Sequence, residues 1–467
     1  MADKKNTRRE FLKIASLGAA GLALAAPGRS RAEISTLSAP RVSQQVSPND
    51  RIRIATIGMG IIGFFDTRTA LEVPGVELIA AADCYDSRLV RTKEEFGSQV
   101  DTTMDYREIL DRSDVDAVIL SVPDHWHATM SIEAMEAGKH VYCEKPMVQD
   151  VPEGAKVIRA EQRTKKVFQV GSQFASSIIY AKAKELYNSG AIGSLNQVEA
   201  RYNRNSSLGA WQYSIPPDVS EENVDWNRFL GDAPSRPFDP VRFFRWRNYQ
   251  DYGTGIPGDL YVHLFTAIHT VLDSVGPNSI MTTGGLRFWE DGRDVPDMMF
   301  SMCGYSESET HPEFTLVLQS NFADGSGGGT SFRFIGDQGV MEIDGNGITL
   351  TQSPRREPSL SQLVNGYNSV FTFSEEVQEE FEQHYRQTHT PEPKSGLATT
   401  SEYNAPEGYD DRFDHFVNFF DSVRTGKSVF EDATFGFRAA APALLSNVSY
   451  NENRVVNWDP VAMKETV

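Results

Sequence analysis

The sequence predicts an α/β protein: an N-terminal doubly wound parallel sheet of Rossmann type, then an α+β domain with an open, largely antiparallel sheet. Three observations carry that expectation. Between residues 51 and 170, short apolar runs alternate with helical segments, the pattern of parallel strands joined by crossover helices. The first run leads straight into Gly58-Met59-Gly60-Ile61-Ile62-Gly63, a glycine spacing suited to a tight strand-to-helix turn. Beyond residue 173 the apolar residues of several runs recur at every second position, as in strands with one buried face.

The chain begins with an expected export segment. Thr7-Arg8-Arg9-Glu10-Phe11-Leu12-Lys13 reads as a twin-arginine motif, followed by an apolar stretch from Ile14 to Ala26. That stretch is short for a membrane span, which needs about 20 apolar residues. Residues 1–32 are therefore read as a signal peptide and 33–50, rich in Ser, Gln and Pro, as a linker or arm. Removing the signal, with its seven basic and two acidic residues, takes the net charge from −19 to about −24. So acidic a body disfavours nucleic acid and anionic membrane surfaces as partners. Cys84, Cys143 and Cys303 form neither a disulfide framework nor a metal-ligand pattern, so all three read as structural thiols and no metal is expected.

The N-terminal domain is placed at 51–172. Its expected strands are Arg51–Ile57, Val76–Ala82, Asp116–Val122, His140–Cys143 and Val167–Val170. Its expected helices are Ile61–Glu72, Ser87–Phe96, Tyr106–Asp111, Ala128–Ala137 and Glu153–Thr164. Gly58 permits the turn, Gly60 lets a diphosphate approach the backbone, and Gly63 allows close helix–strand packing. Ile61 and Ile62 then offer the free N–H groups of a helix start. Asp83 ends the second strand 20 residues beyond Gly63, where a carboxylate would meet ribose hydroxyls and repel a 2′-phosphate. NAD is thus expected over NADP, with Arg88 read as a solvated helix arginine.

Two further strand ends carry polar clusters, at the edge where open α/β sheets bind ligands. Ser121-Val122-Pro123-Asp124-His125-Trp126-His127 offers Pro123 and His127, and His125 beside them, to the cofactor or the substrate, with Asp124 as a plain helix cap and partly exposed histidines in the alternative. Cys143-Glu144-Lys145-Pro146 offers a lysine that can stabilise a developing alkoxide, with Glu144 pairing to its charge. A surface ion pair would look the same.

These motifs together resemble the glucose-fructose oxidoreductase / inositol dehydrogenase / MocA family. The likeness continues through Gly171-Ser172-Gln173, Gly190-Ala191-Ile192-Gly193 and Gly253-Thr254-Gly255-Ile256-Pro257-Gly258-Asp259-Leu260-Tyr261-Val262-His263. It implies Lys145, Asp259 and His263 as the catalytic trio, cofactor contacts from Glu144 and Lys145, and a homo-oligomer assembled through the second sheet. The spacing agrees with the transfer. Asp259 and His263, four apart on a helix, would share a face, the imidazole taking a hydroxyl proton and the Asp orienting it or binding a hydroxyl, although a helix cap and a satisfied histidine would show the same spacing. His269 is expected to be structural.

The second domain is placed at 173–467. Its expected strands are Leu195–Arg201, Ile280–Thr283, Phe314–Ser320, Thr330–Ile335 and Val340–Asp344, with a polar excursion over Ser374–Asp411. Helices are expected over His415–Val423 and Phe435–Ser446. Tyr202 and Arg204, after the first strand, and Arg245 and Trp246, in Phe243-Phe244-Arg245-Trp246-Arg247, are the expected substrate-lining residues alongside Asp259 and His263. Aromatic faces with fork-shaped donors suit a sugar or polyol, although a core aromatic cluster would give the same pattern. Three functions stay open: an exported oxidoreductase that recycles a tightly held NAD(H), a redox-neutral NAD-dependent glycoside hydrolase, and a sugar-binding protein that kept the fold.

Overall fold

The first sheet has six parallel strands, ordered Asp101–Thr103, Val76–Ala82, Ile52–Ile57, Ala117–Leu120, His140–Glu144, Phe168–Gly171. The order reverses beside Ile52–Ile57, so the crevice at the carboxyl ends of that strand and of Ala117–Leu120 is the natural ligand site. The structure, a computed structural model, describes residues 33–39, 47, 51–353, 358–389 and 398–466. The expected signal peptide at 1–32 and most of the linker at 33–50 lie outside the described residues.

Four of the five expected strands differ from the structure by only one or two residues at an end, and Val76–Ala82 matches. They are legible because strands covered on both faces must be apolar throughout, as Ala117–Leu120 is at every position. The edge strand Asp101–Thr103 is polar and half-exposed, and it was not expected. One face of this sheet is closed by a late helix, Asp411–Thr425. Its Phe416, Phe419 and Phe420 join Ile54, Ile119 and Tyr142 in one core, with Phe416 stacked on Tyr142 at 4.3 Å. The N-terminal sheet thus relies on side chains from beyond residue 400 for part of its core.

The second sheet has eleven strands; from Gly347–Gln352 across to Lys464–Thr466 its neighbours pair antiparallel except where Leu195–Asn203 runs parallel to Phe314–Asn321. All five expected strands are present, joined by others, including Met298–Tyr305 and Gly347–Gln352. The helix Ala433–Glu452 covers the inner face at Ser279–Gly285. The outer face leaves Met281, Phe300 and Met302 exposed, with Met281 and Met302 directly opposite in register. Glu33–Thr36, expected within the loose arm, is instead an edge strand of this sheet beside Thr399–Asn404.

Residues 34–352 and 401–467 form one compact body, and 353–400 group separately. Within the latter, the expected polar excursion contains a regular helix, Glu375–Thr388, capped by Ser374. No helix among the described residues is long and apolar enough to cross a membrane.

Candidate active site

The glycine turn is built as its spacing predicts. Gly58 has φ +92°, and a Cβ there would lie 2.4 Å from the Ser121 carbonyl oxygen. Gly63 packs its α-carbon against the turn, where a Cβ would lie 1.9 Å from the Gly58 oxygen. Gly60 differs, because a Cβ there would meet nothing nearer than the Arg88 guanidinium at 3.9 Å. That open space faces the main cavity, which Gly58, Gly60, Ile61 and Ile62 line. No side chain caps the helix Ile61–Glu72, so its first N–H groups and its positive dipole end are available to an anion. A diphosphate fits this cradle.

Asp83 lies at the same end of the cavity. Its carboxylate is aimed by two backbone donors, Met59 N–H at 2.8 Å and Tyr85 N–H at 2.9 Å. Arg88 reaches Asp83 at 3.3 Å and stacks on Phe243 and Phe244, with its guanidinium carbon 5.4 and 5.1 Å from the ring centres. Arg88 is therefore part of the cavity wall, which corrects the expectation of a solvated helix arginine.

At the far end stand Lys145, Asp259 and His263. Lys145 Nζ donates to Asp259 Oδ1 at 2.9 Å and to the Asp259 carbonyl at 3.0 Å. Its partner is thus Asp259 on the second domain and not the adjacent Glu144. Asp259 also accepts from Arg247 Nε at 3.1 Å and Trp211 Nε1 at 3.2 Å, with Arg204 3.6 Å away. Burial alone would raise this carboxyl, but Lys145, Arg247 and Arg204 hold it well below the usual carboxylate range. Asp259 is a fixed anion that organises three cations.

No hydrogen bond joins Asp259 to His263, contrary to the expected Asp–imidazole pair. Residues Pro257–Tyr261 form a wider π-helical turn, and the α-helix begins only at Val262, so the i,i+4 row is broken between them. His263 instead places Nδ1 3.3 Å from Ser172 Oγ. Burial, and then the Lys145 charge, hold its imidazole well below the ordinary histidine value, so it is neutral. Its second ring nitrogen, Nε2, makes no hydrogen bond to a protein group among the described residues. The arrangement offers a neutral base, an ammonium and a set of fork donors in one cavity.

The other expected residues divide clearly. Pro123, Glu144, Tyr202, Arg204 and Trp246 line the cavity. His127 lines it too, but its ring nitrogens face the Pro146 and Val122 carbonyls at 2.6 and 2.9 Å, which leaves neither free for a cofactor. Burial pulls that imidazole down to about 4. Glu144 is buried, which raises its carboxyl. Arg245 is not among the residues lining the cavity and is bonded to the Tyr213 carbonyl and Gln212. Its neighbour Arg247 takes the place expected of it. Asp124 does not cap its own helix. It accepts from Thr254 N–H and Oγ–H at 2.9 and 2.6 Å, tying the strand-end loop to the second glycine-rich turn. His125 is buried outside the cavity, between the Phe229 and Tyr252 carbonyls, and His269, as expected, is structural, bonded to Tyr305. Burial pushes the Cys143 thiol up to about 12, in keeping with a structural role.

Sequence reasoning missed Trp211, Tyr213 and Arg412. Trp211 sits 48 residues before the carboxylate it binds, and no local pattern marks such a pair. Arg412 reaches the cavity from the late helix that closes the first sheet.

Comparison with known proteins agrees with this geometry. Among solved structures, levoglucosan dehydrogenase in complex with NADH and levoglucosan superposes with a TM-score of 0.61 at 16% identity, covering 87% of this chain and 99% of that one. Aldose-aldose oxidoreductase from Caulobacter crescentus, complexed with glycerol, gives 0.60 at 15% identity, covering 87% and 99%. At such identities the likeness is one of fold. In sequence, a glycosyl hydrolase family 109 protein of Shewanella baltica strain OS185 is 32% identical over 212 residues, 42% of this chain and 45% of the relative. An alpha-N-acetylgalactosaminidase of Shewanella oneidensis is 34% identical over 172 residues, 34% of this chain and 38% of the relative. The chain thus spans less than half the length of the curated relatives it matches. Residues 52–172 match the family described as an oxidoreductase family with an NAD-binding Rossmann fold. Over those residues the chain is similar to the glucose-fructose oxidoreductase / inositol dehydrogenase / MocA family, and its N-terminal domain is of the NAD-binding Rossmann type.

Proposed function

We propose that the protein is an NAD-dependent oxidoreductase acting on a hydroxyl-bearing carbon of a sugar or polyol. One observation carries the reading: a neutral His263 and the Lys145–Asp259 pair face the same cavity as the open glycine cradle. Bound NAD supplies the hydride acceptor. His263 Nε2 takes the proton of the substrate hydroxyl, while the Lys145 ammonium donates to the oxygen as negative charge develops on it. Asp259 keeps Lys145 in place, and Arg204, Arg247, Tyr202 and Trp246 supply donors and aromatic faces for the remaining hydroxyls.

A second reading is supported by the glycosyl hydrolase relatives at 31–34% identity. Here the same oxidation would acidify the neighbouring C–H, whose loss would expel the protonated leaving group by elimination. Water would add to the resulting unsaturated ketone, and bound NADH would supply the hydride that restores the hydroxyl, so no net redox change would remain. We further propose export by the twin-arginine route, from Arg8 and Arg9, and self-association through the sheet face that carries Met281, Phe300 and Met302.

The test is to unfold the purified protein, identify any released nucleotide, and expose the native form to aldoses, polyols and aryl glycosides. A sugar that alone reduces the bound nucleotide supports the oxidoreductase. Phenol release from a glycoside, with solvent deuterium at a ring carbon and no net NADH, supports the hydrolase. No nucleotide and no response in either arm would leave a binding protein.

A further inference from the structure

Behind His263 a line of buried hydroxyls leads away from the cavity to an acid that the proposed chemistry does not use. His263 Nδ1 lies 3.3 Å from Ser172 Oγ, Ser172 Oγ donates to Thr266 Oγ1 at 3.1 Å, and Thr266 Oγ1 donates to Glu431 Oε1 at 3.2 Å. Ser172, Thr266 and Glu431 are at most 1% exposed. They come from three places: the end of the last Rossmann strand, the helix Val262–Leu272 and the segment before Ala433–Glu452. Thr266 stands three residues after His263, on the same helix face. Glu431 is fixed to the last strand through its own carbonyl, which accepts from Val170 N–H at 3.1 Å.

The direction of this line is set by its end. Among the described residues Glu431 Oε2 has no hydrogen-bond partner, and His415 Nε2, 4.0 Å away, is committed to the Val170 carbonyl at 2.7 Å. Glu431 Oε1 accepts from Thr266 when the acid is ionised or carries its proton on Oε2, whereas a proton on Oε1 would reverse the line and select the opposite tautomer. Burial favours the protonated form. Thr266 has one proton and gives it to Glu431, and Ser172 gives its only proton to Thr266. The Ser172 oxygen is then left to accept, and the group facing it is the His263 Nδ1–H.

We propose that Ser172, Thr266 and Glu431 are positioning residues that hold His263 in the Nδ1–H tautomer, leaving the Nε2 lone pair to the cavity. The inference rests on the reading of His263 as the base. It also explains how the imidazole is oriented without the Asp259 contact that its spacing suggests. A base whose tautomer is preset needs no rearrangement when the substrate hydroxyl arrives.

The test uses the full-length protein as purified, labelled with ¹⁵N-histidine and read by two-bond ¹⁵N–¹H correlation, with His263→Gln to assign the resonance. Wild type and Thr266→Ser should show the proton on Nδ1. Thr266→Val and Glu431→Leu should shift the population toward Nε2–H and lower kcat about tenfold or more, the cost of one such hydrogen bond, with KM within about twofold. A proton on Nε2 in the wild type overturns the proposal, as does an unchanged tautomer in Thr266→Val. Full turnover by His263→Gln would overturn the functional reading instead, without touching the tautomer assignment.

Discussion

Replacing Gly60 and Gly63 one at a time by alanine separates folding from cofactor binding. At Gly63 the added methyl would sit 1.9 Å from the Gly58 oxygen. That is more than an ångström inside contact distance, so the turn and the helix must move apart. Such overpacking costs about 1–3 kcal/mol, against a gain of about 1 kcal/mol in helix propensity. A net loss follows, together with a displaced turn. At Gly60 the backbone angles, φ −82° and ψ −164°, suit any residue, and the nearest atom to the new methyl is 3.9 Å away. Folding should be unaffected within about 0.5 kcal/mol. The methyl would instead occupy the space a diphosphate needs, weakening NADH binding about tenfold to a hundredfold, or about 1.4–2.7 kcal/mol. Thermal unfolding and fluorescence titration of nucleotide-free protein measure the two effects. If Gly60→Ala binds NADH as tightly as wild type, the cradle is not where the diphosphate lies.

Four further outcomes are expected. Lys145→Ala should lower single-turnover reduction of the bound nucleotide by at least about a hundredfold while nucleotide content stays that of wild type; a small effect would remove the lysine from the chemistry. Asp259→Asn strips the counter-charge from Lys145, Arg247 and Arg204 and should cost about 3 kcal/mol of stability, visible as a lowered Tm. His263 gains a proton only well below the ordinary histidine value, and only the neutral ring is a base. Activity should therefore persist as pH falls through 6.5, and a pH–rate profile with its inflection there would contradict this. Asp83→Ser should raise NADP binding relative to NAD by removing the charge that repels a 2′-phosphate, as competitive titration would show.

The sequence exposes what is local and hides what is paired over distance. The buried strand Ala117–Leu120 and the helix Ile61–Glu72 declare themselves because burial on both faces, or a glycine turn before a helix, constrains every residue involved. Asp101–Thr103 is short, partly exposed and weakly patterned, and it escapes notice, while Gly347–Gln352 carries a brief alternation that is not read as a strand. In the site, Lys145 is read from a motif at a strand end, and His263 from the family resemblance of the glycine-rich segment before it. What each touches was not legible. The partner of Lys145 is 114 residues away, and the acid behind His263 lies 165 residues beyond Thr266. Only the folded chain brings such groups together. The π-turn at Pro257–Tyr261, which redirects Asp259, likewise has no counterpart in a simple helical spacing.

The stack of Arg88 between Asp83 and the Phe243–Phe244 pair has a kinetic consequence. Those phenylalanines belong to the second domain, so the pocket's ribose end is roofed by a segment that the opposite, reactive end does not need to open. Under the proposed function, a nucleotide held there would dissociate slowly while small sugars exchanged at the end lined by Tyr202 and Trp246. Initial-rate plots with two sugars should then give parallel lines, each product leaving before the next reactant arrives, with one dinucleotide serving many turnovers.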